Sequence, residues 1–172
     1  MAAQKKRGKD SYLNDFKKGQ DGGYVYVGKT WHADPALRRR TLIKLWSFQG
    51  CMLFSALLPG FVTTAGLLNT YYVIIPYVLW LISDFALAYT LGNMTLGGNP
   101  LRDYIYRRCV KPYRFRTMLP LAGAALTALS LLIFLLRGGT GEGKLVCFVC
   151  CGVQIAASFF AGRSKIVEIW TE

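Results

Sequence analysis

The chain has 172 residues, 53% of them hydrophobic, and a mean hydropathy of +0.30, too apolar for an ordinary soluble domain and too short for two membrane domains. Its formal charge of +12 and pI near 9.7 would suit a nucleic-acid binder, but the basic residues lie beside hydrophobic segments, which points to a membrane surface instead. Five cysteines, Cys51, Cys109, Cys147, Cys150 and Cys151, form no secreted-type disulfide framework, since three fall in one apolar run.

Residues 1–44 read as a basic, mostly irregular arm. Within it Tyr12, Leu13 and Phe16 make a small apolar cluster, enough for one amphipathic turn, and the first apolar run begins only near Leu45, so no cleavable signal peptide is expected. The alternation Tyr24-Val25-Tyr26-Val27 between glycines predicts one short strand, whose partner the sequence does not identify. Gly23, Gly28, Lys29 and Thr30 match the spacing of a phosphate-binding loop, but bulky strand formers occupy the intervening positions and Pro35 follows at once. Too little chain precedes the first apolar span for a nucleotide-binding fold, so no nucleotide is expected. His32 is the sole histidine and has only Asp34 near it, which is no metal set.

Asp34-Pro35 reads as an N-cap followed by proline at the first helical position, opening a helix that runs straight into the first span, 45–66. Arg38, Arg39, Arg40 and Lys44 are placed at anionic lipid headgroups, with Trp46 as an interfacial anchor. Pro59-Gly60 predicts a kink near the far end of that span. A short uncharged turn then leads to the second span, 71–91, which at 1.5 Å per residue is roughly 32 Å long, near the hydrocarbon thickness. It carries one charge, Asp84, at an insertion cost of about 2.5 to 3.5 kcal/mol, while each Leu, Ile, Phe or Val returns roughly 0.3 to 0.6. Ten such residues offset the acid.

Residues 92–117 form a polar, basic loop. Asn99-Pro100 signals a helix start, and Leu101, Tyr104, Ile105 and Cys109 share one face, predicting a short interfacial helix ended by Pro112. Arg107, Arg108 and Lys111 there are further headgroup contacts. The third span is 118–136, with a small-residue face of Gly123, Ala124, Ala125 and Ala128, and the fourth is 145–161, with Gly152 and Ala156 as its packing face. Residues 163–172 are a short tail.

The reading is an all-α integral membrane protein: four transmembrane helices in a domain over 45–162, a short interfacial helix and a mostly irregular basic arm. Nineteen Lys and Arg lie on the side of the termini and of the 92–117 loop, against two, Arg137 and Lys144, on the other. By the positive-inside rule both termini are cytoplasmic, in a multi-pass protein of the cell membrane.

Asp84 and Gln154 each lie seven residues before the same end of two spans that run the same way, so a shared buried site is expected, with Trp80 and Tyr77 on the face of Asp84. Cys147 and Cys150 form a C-x-x-C near the start of the fourth span, which admits a thiol oxidoreductase, but neither outer turn carries the shuttle cysteines that such chemistry needs. No catalytic set, cofactor site or metal site is apparent. The expected role is a non-enzymatic subunit or partner-binding component of a membrane complex, paired with another membrane protein or a second copy. The alternative is a small homo-oligomeric transporter that uses Asp84 for proton or cation coupling.

Overall fold

The computed structural model describes residues 16–18, 23–62, 70–139 and 143–171. Helix α1, Pro35–Val62, opens as the sequence indicates. The Asp34 carboxylate accepts the backbone N–H groups of Ala36 and Leu37, both at 3.4 Å, taking up donors that have no partner within the first turn. The helix is described to Val62, three residues past Pro59; the expected end at 66 lies outside the described residues.

Helix α2, Tyr71–Leu96, runs five residues past the expected 91. Its last turns are polar, but Asn93 Nδ2 donates to Tyr89 O at 3.1 Å and Thr95 Oγ1 to Leu91 O at 2.9 Å, so these side chains turn back onto the helix instead of ending it. Gly98, at φ 74°, then takes the chain out in a left-handed conformation that glycine adopts without strain.

The connection that follows departs from the expected helix start at Pro100. Leu101–Arg102 is a strand, paired antiparallel with Thr30–Trp31. With Phe16–Lys18 as β1, Tyr24–Tyr26 as β2, Thr30–Trp31 as β3 and Leu101–Arg102 as β4, the order is two separate antiparallel pairs, β1 with β2 and β3 with β4. The described part of the arm is therefore more ordered than its composition suggests. The strand predicted at Tyr24 has its partner in Phe16–Lys18, and Tyr12 and Leu13 lie outside the described residues. A single turn, α3 at Asp103–Ile105, leads into a π turn at Tyr106–Val110, where Lys111 N–H reaches back five residues to Tyr106 O at 3.0 Å. Pro112 is the cap of α4, Tyr113–Leu136, so this segment leads directly into the third long helix and is no separate interfacial helix. Helix α5, Lys144–Gly162, completes the bundle.

All four long helices are long and apolar enough to cross a membrane. At 1.5 Å per residue their 28, 26, 24 and 19 residues give about 42, 39, 36 and 28 Å. Each packs against its neighbours in a ring, α1 on α2, α2 on α4, α4 on α5 and α5 on α1, the up-down arrangement that short turns favour. Large apolar side chains such as Phe54, Ile82, Phe85, Leu129 and Phe160 point outward, as a lipid solvent requires and water would not tolerate at this density.

Small residues decide how closely the helices approach, though not all those expected. Gly123 and Ala124 are buried, whereas Ala125 is exposed. A Cβ at Gly123 would lie 2.8 Å from Trp80 Cα, so α4 rests directly on the backbone of α2. On α5 the expected face is corrected: Gly152 and Ala156 are exposed, nothing lies within 4 Å of a Cβ at Gly152, and the buried side is Cys147, Cys150, Cys151, Gln154, Ala157, Ser158 and Ala161. Their four-residue spacing is the same on either side of a helix, and the polar pair Gln154 and Ser158 turns the other side inward.

At the end of the bundle that carries both termini, the connections are knitted together. His32 and Thr171 exchange backbone hydrogen bonds of 2.8 and 2.9 Å, the Asn99 side chain pairs with both backbone groups of Ala33, and Trp31 stacks on Tyr106 at 3.9 Å. Asp103, buried, accepts Trp31 Nε1 at 3.0 Å and Arg107 Nε at 2.8 Å. Replacing Gly123 by valine should force α2 and α4 apart and cost about 1 to 3 kcal/mol. The melting temperature of the purified protein in detergent should fall, while Ala125→Val on the exposed side leaves it unchanged.

Candidate functional site

Asp84 projects from the middle of α2 into the bundle and is fully buried, as is Gln154 from α5. Gln154 Nε2 donates to Asp84 Oδ1 at 2.8 Å, so the two expected partners do meet. Helices α2 and α5 run the same way, and the bond sets the two groups at one depth. The structure adds α1, which the sequence reading had left out of the site. Ser55 Oγ donates to Gln154 Oε1 at 2.9 Å, Gln49 Nε2 donates to the backbone carbonyl of Asp84 at 3.1 Å, and Ser158 Oγ lies 3.2 Å from Met52 Sδ. Three helices are thereby tied through one cluster of polar groups in an otherwise apolar interior.

Gln49, Ser55 and Met52 carried a readable signal. Gln49 and Ser55 are uncharged polar residues inside an apolar run, and with Met52 between them they fall at i, i+3 and i+6, one face of a helix.

Tyr77 and Trp80 lie on the face of Asp84, in edge-to-face contact at 5.9 Å and 89°. Tyr77 does not reach the carboxyl, because its hydroxyl donates to Ala56 O at 2.9 Å. Trp80 faces Asp84 from one turn away, yet among the described residues neither its Nε1 nor Asp84 Oδ2 completes a hydrogen bond. With Gln49 Oε1 they are the incomplete part of the cluster. No lysine, arginine or histidine among the described residues is paired with Asp84.

The expected headgroup residues divide. Arg39, Arg40, Lys44, Arg108 and Lys111 are exposed, with Lys44 above the Phe48 ring. Arg107 is exposed but paired with Asp103. Arg38 turns inward, donating from Nη2 to Met94 O and Thr95 O, both at 3.2 Å, and lying over Trp170. It caps the carbonyl end of α2, where a cation is favoured. Trp46 is also engaged within the chain, its Nε1 donating to Thr95 Oγ1 at 3.0 Å.

Cys147 and Cys150 are buried and free, packed with Tyr77, Trp80 and Val73 in one apolar cluster. A thiol so enclosed has no path to a soluble oxidant. Changing both to alanine should leave expression and folding nearly intact, with a loss in melting temperature equivalent to about 1 kcal/mol per removed sulfur; a folded double variant that has lost a quinone-dependent activity of the parent would restore the redox reading. No family model, curated protein or solved structure matches the chain, so the geometry of the site carries the functional argument.

Proposed function

We propose that this chain is a non-enzymatic subunit or partner-binding component of a membrane complex, set in the cell membrane with both termini cytoplasmic. The observation that carries this reading is the burial of the central cluster. Asp84, Gln154, Ser55 and Ser158 are all at or near zero exposure, and the hydrogen bonds they make run from helix to helix, which suits helix packing better than a conducting path. The outer surface supplies what a partner would use: exposed Gly152 and Ala156 on α5 leave a shallow strip where a helix from another membrane protein or a second copy could approach closely.

One observation favours the second reading, a homo-oligomeric transporter. Asp84 Oδ2 is buried and unpartnered, and an intramembrane carboxyl with a spare oxygen can take up a proton or cation.

Asp84→Asn and Asp84→Leu separate the two. Under the packing role Asn keeps shape and hydrogen bonding, so recovery of the intact complex from membranes should match the parent. Leu leaves Gln154 without its acceptor and should lower recovery modestly, since hydrogen bonds between membrane helices average about 0.6 kcal/mol. Flux in proteoliposomes that the assembled Asn variant has lost would sink the packing role.

The orientation is supported by the gathering of nineteen of the 21 basic residues toward one end of the chain's topology. In a cysteine-free background, cysteines at Lys111 and Lys165 should resist an impermeant thiol reagent in intact cells, and one at Gly141 should label. Labelling at Lys111 or Lys165 would reverse the topology.

A further inference from the structure

Apart from the central cluster, the bundle holds a cavity of about 290 Å³ between α2, the π turn and α4. Two guanidinium groups line it, Arg108 from the π turn and Arg116 from the first turn of α4. Arg116 Nη1 donates to Thr90 Oγ1 at 2.6 Å, which fixes it against the wall. The buried Cys109 lines the same cavity. Among the described residues, neither arginine makes a salt bridge and no acidic side chain lines the cavity, so within that part of the chain the two positive charges face the cavity without a counter-charge.

The cavity is also graded in polarity. On α2 it extends from Thr90 to Ser83, about 10 Å along the helix, with the arginines at the end nearer the polar loop and Ala86, Leu87 and Leu119 toward the membrane interior. Arg108 and Cys109 belong to the π turn, a widened turn of a kind often found at functional sites, and both line the cavity.

We propose that this cavity binds the headgroup of an anionic phospholipid, its phosphate between Arg108 and Arg116 and its glycerol end along Leu87 and Leu119. The chemistry is that of a phosphate ester on paired guanidinium groups. The apolar inner wall selects a lipid over a free phosphate, because a small anion would gain nothing from that half of the cavity. A basic pocket between helices at the headgroup level is where such lipids are held. This differs from a general attraction of exposed basic residues, since it is one site with one occupant.

The test uses the full chain in nanodiscs of phosphatidylcholine containing a minority of phosphatidylglycerol, released and weighed intact by native mass spectrometry. The parent should retain one phosphatidylglycerol in preference to phosphatidylcholine. R108Q/R116Q should lower that retention about fivefold, equivalent to about 1 kcal/mol. R163Q/K165Q, the same change in charge at the same end of the molecule, should leave it within error. A86F, which fills the cavity without altering charge, should lower retention as the arginine pair does and decides the matter if R108Q/R116Q fails to fold by circular dichroism. Equal loss in R163Q/K165Q, or full retention in a folded A86F, overturns the site. Inorganic phosphate in excess should not displace the lipid; displacement, with a raised melting temperature in phosphatidylcholine alone, would make the ligand a free phosphate and overturn the lipid.

Discussion

A carboxyl at the middle of an apolar bundle must be met by polar groups from other helices, and the pairing of Asp84 with Gln154 is the constraint on which this fold turns. Apolar side chains alone would not fix how four membrane helices sit together, since lipid tails solvate a leucine as well as another helix does. One hydrogen bond of 2.8 Å between α2 and α5 fixes their relative rotation and depth. Gln154 then has its carbonyl left to satisfy, which draws Ser55 and so α1 into register. Each bond is modest, but slipping any helix by one turn would strand several polar atoms at once, and that is how a weak network specifies one arrangement.

Helix α4 is held differently. It gives no side chain to the central cluster and is placed by the bare backbone at Gly123 lying on Trp80. Close backbone approach and polar pairing are the two means of association available without a hydrophobic drive, and the bundle uses one on each side of α2. Trp80 takes part in both: its backbone lies against α4 at Gly123, and its side chain shares the face of Asp84.

Much of this was legible in the sequence, for identifiable reasons. The four apolar runs read directly because the bilayer demands length and apolarity together. The meeting of Asp84 and Gln154 followed from counting residues to the same end of two helices running the same way. The orientation of α5 did not follow, because Gly152 and Ala156 are small on a surface that lipid can cover equally well, and only the polar side of the helix says which way is inward. The pairing of β3 with β4 was invisible for another reason. Two-residue strands have no period, and what holds them is a set of nonlocal contacts by Asn99, Asp103 and Trp31, whose partners lie some seventy residues away in the chain.

The boundaries of the helices show the same division between local and nonlocal control. Helix α1 begins where its own Asp34 and Pro35 dictate, within four residues of the start. The end of α2 obeys remote groups: Arg38 neutralises the last carbonyls and Trp46 holds Thr95, both from α1, nearly sixty residues earlier in the chain at most. A helix terminus capped from another helix cannot be read from its own sequence, and here it extends α2 into a polar stretch that composition assigns to a loop. The wall of the cavity that Arg108 and Arg116 line is under local control by contrast: Ser83, Ala86, Leu87, Tyr89 and Thr90 all fall inside the apolar run, so they are placed by its length alone, before the turns that Arg38 and Trp46 hold.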